Sequence, residues 1–137
     1  MTRHTMQPRA WLWVALLLLV APYLQGGIDK ALDFSGAVAE MRHFGLGPAA
    51  PMALATIALE LGASALILAG RMRWLGAVLL ALFTLAATLL ANRFWSAPPA
   101  DRFGLENSFF EHLGLVGGFL LVAWVDRKQA SVEPVRN

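Results

Sequence analysis

The sequence predicts an all-α fold: an integral membrane four-helix bundle with a short interfacial helix between spans one and two. Three observations carry this expectation. Of 137 residues, 58% are hydrophobic and only 15% are charged, whereas a soluble domain carries roughly 25% charged residues. The apolar residues gather in four stretches, about 10–28, 51–69, 74–91 and 109–125, each close to the ~20 residues a helix needs to cross the hydrocarbon core. None of the four alternates with period two, as the lipid-facing strands of a closed barrel would.

Composition also excludes several function classes. There is no cysteine, which removes disulfides, thiol nucleophiles, iron–sulfur ligation and thiolate zinc sites. The net charge is +2, with no basic stripe or interleaved aromatics, so nucleic acid is not an expected partner. The lipid bilayer is.

The first stretch follows Arg3 and Arg9. Its small-residue site, Leu19-Val20-Ala21, precedes Pro22, which blocks signal cleavage, so a retained span with a possible bend at Pro22 is expected. The segment after it, "ALDFSGAVAEMRHFGLGPAAP", places Phe34, Val38, Met41 and Phe44 at helical spacing. That pattern reads as an interfacial helix ended by Gly45. Gly70-Arg71-Met72-Arg73 is so short a link that spans two and three must be antiparallel neighbours, with Gly70 as a left-handed cap. In the third link Pro98-Pro99 reads as a stop, and Ser108 through Glu111 reads as a capping box opening span four. The chain after Asp126 is polar and is expected to fray. The resulting organisation is a tail at 1–9, a four-span domain at 10–125 and a tail at 126–137.

Orientation follows from the basic residues. Arg3, Arg9, Arg71, Arg73, Arg127, Lys128 and Arg136 share one side, and Lys30, Arg42, Arg93 and Arg102 the other. The richer side is predicted to be cytoplasmic, with both termini on it. Trp11, Trp13, Trp74, Trp95 and Trp124 all fall near predicted water–lipid boundaries and read as an aromatic belt.

Glu60 interrupts "ALATIALELGASALILAG". Eleven residues from Arg71, it lies roughly 16 Å into a core about 30 Å thick. A charge at that depth costs at least ~2.5–3.5 kcal/mol, so the carboxyl must face the bundle interior and be paired or neutral. Thr56, Glu60 and Ser64 share one helix face. Thr84, Thr88 and Asn92 do the same on span three, Gln25 and Asp29 on span one, and His112 reaches a similar height from span four. A polar pocket opening to the extracytoplasmic side is therefore expected. Glu60 and His112 are its candidate reactive groups, and Gln25, Lys30, Thr88, Asn92 and Arg93 its candidate ligand-binding groups. Blander roles compete: membrane Ser and Thr commonly satisfy their own backbone, Lys30 and Arg93 can snorkel, Glu111 serves the capping box, and Gly114 with Gly118 forms a helix-packing face. One His and one Glu are too few ligands for a metal, and none is expected.

Five motifs resemble the DoxX family of small four-span bacterial membrane proteins. They are "GGIDKALDF" at 26–34, "HFGLGP" at 43–48, "IALELGASALILAG" at 57–70, "NRFW" at 92–95 and "FFEHLGLVGGFLLVA" at 109–123. Lys30 and Glu60 match the family's span-one Lys and span-two Glu. Where the family often has His before Arg-Phe-Trp, this chain has Asn92. Where it often has Lys-Asn before the fourth-span glycines, this chain has Glu111-His112. The resemblance implies a multi-pass protein of the bacterial inner membrane, and an accessory or quinone-interacting subunit of a membrane redox complex. On that reading a redox partner protein supplies the electron carrier, since no self-contained catalytic motif is present. The alternative is a non-enzymatic membrane protein that binds a small amphiphile or acts as a scaffold. An ion channel is disfavoured, because polar residues thin out on the cytoplasmic side of Glu60 and leave no continuous wet path.

Overall fold

The computed structural model describes residues 8–132. Arg3, His4 and Arg136, and with them residues 1–7 and 133–137 of the predicted tails, lie outside the described residues. Five α-helices and one 3-10 turn follow in order: α1 (Pro8–Leu32), α2 (Phe34–His43), α3 (Ala49–Ala69), α4 (Arg73–Ala91), the 3-10 turn Phe94–Ser96, and α5 (Pro99–Val132). No strand occurs among the described residues. Four of the helices are long and apolar enough to cross a membrane.

The bundle closes in the order α1, α3, α4, α5. Its shared core is built from Leu16, Val20 and Tyr23 of α1, Ala63 and Ile67 of α3, Ala77, Leu80 and Ala81 of α4, and Phe119 and Ala123 of α5. Small residues dominate α3 and α4, which lets backbones approach where no hydrophobic effect drives helices together. Tyr23 completes the ring by meeting Phe119 edge-on at 5.3 Å between ring centres. Gly118 also lies against α1, since a Cβ there would sit 3.1 Å from Leu19 Cδ1. Gly114 meets nothing among the described residues, so the expected glycine pair packs through one member only.

Helix α2 forms as expected. Asp33 caps it by accepting from the Gly36 amide at 2.9 Å, and the Ser35 hydroxyl adds a second bond at 2.9 Å. Together they hold the Asp33 carboxyl below its ordinary carboxylate range. Ala37 and Met41 turn inward onto Ala53 of α3, while Phe34, first in the predicted stripe, stays exposed. Gly45 and Gly70 take left-handed backbone at φ 69° and 71°, as a helix stop requires.

Three expectations about helix ends fail. Helix α1 runs unbroken through Pro22 to Leu32, past the end expected near residue 28. Helix α5 starts at Pro99, not at Ser108. Proline is welcome at the first position of a helix, where its missing N–H has no bond to lose. The Asp101 and Arg102 amides both donate back to the Pro98 carbonyl, so the proline pair opens the helix it was expected to exclude. The Ser108–Glu111 capping box therefore does not form; both residues lie inside α5. At its far end α5 continues past Asp126 to Val132, giving 34 residues and about 51 Å of helix. Asp126 is busy there: it accepts from the Trp74 amide at 2.9 Å and lies 4.0 Å from the Arg73 guanidinium. An acidic group at the start of α4 suits the helix dipole and fixes α5 against α4.

Candidate functional site

Glu60 is 5% exposed and faces α1. The Lys30 ammonium stands 3.5 Å from its Oε2, with 19% of the Lys30 side chain exposed. This is ion-pair spacing without hydrogen-bond alignment, and Oε2 has no hydrogen-bond partner among the described residues. Two glycines create the contact. A Cβ on Gly26 would lie 3.4 Å from Glu60 Oε1, and one on Gly27 would lie 2.7 Å from Leu61 Cδ2. The backbone of α1 can approach α3 this closely only where α1 carries no side chain. One turn along α3, the fully buried Ser64 hydroxyl is also without a partner.

Tyr23 extends this polar seam. It is buried, and its hydroxyl bonds to Thr84 Oγ1, which in turn donates to the Leu80 carbonyl at 2.6 Å. Sequence reading missed Tyr23. A signal was available: it is the only tyrosine in the chain, it sits inside an apolar span, and a buried phenol needs a partner.

A second polar group joins α4 to α5. Asn92 Nδ2 donates to Thr88 Oγ1 at 3.0 Å and to His112 Nδ1 at 3.1 Å. Thr88 Oγ1 lies 2.9 Å from the same Nδ1. An amide N–H can only donate, so Nδ1 is the acceptor and the ring proton sits on Nε2. Thr88 and Asn92 are both buried. The imidazole thus reaches from α5 to both Thr88 and Asn92 of the α4 end.

The single pocket expected from the helical wheels is divided. Glu60 and Lys30 meet between α1 and α3; Thr88, Asn92 and His112 meet between α4 and α5. Gln25 is exposed and bonds to Asp29 one turn along its own helix. It lines a 440 Å³ polar groove between α1 and α2 that also holds Lys30 and Glu40. Arg93 is exposed and lines a 320 Å³ cleft beyond the end of α4, with His43 and Ser96.

A further cavity lies under α2 and between α3 and α4. It measures 470 Å³, within the ~300–1,000 Å³ typical of small-molecule sites. Met41 and Phe44 roof it, Met52, Leu59 and Thr56 form the α3 wall, and Phe83, Ala87 and Leu90 form the α4 wall. Lys30 and Glu40 stand at its edge and line the polar groove as well. Lys30 therefore touches the apolar cavity, the wet groove and Glu60 at once. Among the described residues no three metal-ligating side chains cluster. What the arrangement offers is an apolar space of ligand size with one ammonium donor and one hydroxyl at its margin.

No curated protein and no solved structure matches the chain. A family model does match, over residues 9–93, which covers α1 to α4 and leaves the fourth-span motif with Glu111-His112 outside. By that match, and with four helices able to span the bilayer, the chain is a multi-pass membrane protein that belongs to the DoxX family.

Proposed function

We propose that this protein holds a small amphiphile in the cavity between α2, α3 and α4, beside the Lys30–Glu60 pair. The observation that supports the reading is the placement of a 470 Å³ apolar space beside an ion pair whose acceptor atom is not hydrogen-bonded. Buried charges are ordinarily tied down by hydrogen bonds as well as by a counter-charge. Glu60 instead holds Lys30 at the cavity edge and leaves its ammonium protons free to reach a ligand. Helix α2 lies across the cavity with Ala37 and Met41 turned inward, which screens it from water. The basic-residue bias supports an orientation with α2 on the extracytoplasmic side and both termini in the cytoplasm of a bacterial inner membrane.

A second reading, favoured by the Lys30–Glu60 pair itself, makes the ligand a quinone and the protein an accessory subunit of a membrane redox complex. An apolar wall with one ammonium and the Thr56 hydroxyl fits a quinone ring. A quinone supplies two-electron, two-proton redox chemistry when bound. Lys30 would donate to a ring oxygen, and Glu60 would hold or exchange the proton through Lys30. A partner protein would carry the electrons. His112 takes no part in this reading, because its ring is engaged between α4 and α5.

Both readings are tested by organic extraction and mass spectrometry of the full chain purified in detergent. A retained amphiphile, lost on Ala87→Trp, is the expected result. A quinone among the extracted molecules favours the redox reading. Equal lipid content in the wild type and in a correctly folded Ala87→Trp variant would reject both.

A further inference from the structure

Resting on the cavity reading, we infer that the occupant is a single-chain amphiphile with an anionic phosphate or carboxylate head, seated at Arg93 and His43. Two cavities that look separate share three lining residues. Phe44, Leu90 and Ala91 border both the 470 Å³ apolar cavity and the 320 Å³ cleft that holds Arg93. The two are therefore adjoining compartments of one path along α4. The inner compartment reaches from Ala91 to Phe83, eight residues or about 12 Å of helix.

The ends of this path differ in charge. At the inner edge Lys30 is already balanced by Glu60 at 3.5 Å, and Glu40 also lines that cavity. The cleft is lined by Arg93, His43 and the Ser96 hydroxyl, and by no carboxylate. Among the described residues Arg93 forms no ion pair. An anionic head is thus repelled from Glu40 and attracted to a guanidinium whose planar fork matches phosphate and carboxylate. The chain below it would fill the apolar compartment. A neutral ring head gains hydrogen bonds but no charge pairing from Arg93, so this inference separates the ligand from the quinone reading.

The test is equilibrium binding of dodecyl phosphate to the full chain in a neutral detergent, with dodecanol and inorganic phosphate as comparison probes. Dodecyl phosphate should bind about tenfold or more tightly than dodecanol, the scale of one charge-assisted contact. Arg93→Gln should reduce it to the dodecanol level, and Arg93→Lys should restore part of the difference. Excess inorganic phosphate should fail to displace it. Equal affinity for dodecanol, or no change in Arg93→Gln, would overturn the anionic head while leaving the cavity reading standing. Displacement by inorganic phosphate would show a free-anion site and overturn the amphiphile. Loss of binding to both alkyl probes in Ala87→Trp is expected; retention there would sink the cavity reading itself.

Discussion

Two of the polar contacts between helices in this bundle are built on opposite principles. Between α4 and α5, the buried hydroxyl and amide of Thr88 and Asn92 and the imidazole of His112 satisfy one another within 2.9–3.1 Å. Between α1 and α3, Glu60 and Ser64 each keep a buried oxygen without a hydrogen-bond partner, and a cavity opens beside the Lys30 side chain. A triad joined by three mutual contacts behaves as a fastener. The open pair beside a cavity is where we propose that a ligand binds. Asn92 belongs to the fastener, while Lys30 and Glu60 form the open pair.

Mutations can break that contrast. The largest effect is expected at Lys30→Met, which leaves Glu60 buried without its counter-charge. Removing one partner of a buried pair costs about 3 kcal/mol or more, read as a loss of unfolding free energy in detergent. Lys30→Met combined with Glu60→Leu should recover most of it; an additive double mutant would show that the two side chains do not interact. Next in size is Gly27→Ala. Its Cβ would sit 2.7 Å from Leu61 Cδ2, and such overpacking costs about 1–3 kcal/mol. A Leu61→Ala background should relieve it.

The α4–α5 fastener should respond more weakly. Thr88→Val or His112→Ala removes interhelical hydrogen bonds worth about 0.6–2 kcal/mol in a membrane. Stability should fall by that amount while amphiphile retention stays unchanged. Retention lost in either variant would place the fastener in the site after all. Smallest is Asp126→Asn, which weakens a helix-dipole contact at the start of α4 by about 0.3–1 kcal/mol, visible as a slight drop in melting temperature.

Much of the fold was legible because membrane helices announce themselves by length and composition. The short Gly70–Arg73 link and the amphipathic α2 were equally readable, since both rest on local rules. Glu60 stood out by depth alone, and Lys30 by its place in the resemblance. Helical wheels failed where direction mattered more than height. Gln25 and Glu60 sit at similar levels, yet Gln25 turns to the groove under α2, because Gly26 and Gly27 occupy the face that meets α3. His112 and Glu60 also share a level but belong to different helix pairs. Neither the cavity nor its roof follows from any one segment: α2 reads as an interfacial helix, and only its docking on Ala53 turns it into a cover. Pro98-Pro99 misled for a local reason, as the same residue that stops a helix also begins one well.

The most direct test of the cavity is photolabelling of the full chain in vesicles with an alkyl-diazirine amphiphile, followed by mapping of the modified residues. Labelling of Met41, Leu59, Phe83 and Leu90 that an unlabelled alkyl phosphate or quinone competes away is the expected result. Labelling confined to the outward faces of the bundle, such as Leu120 and Leu121, and indifferent to any competitor, would contradict it.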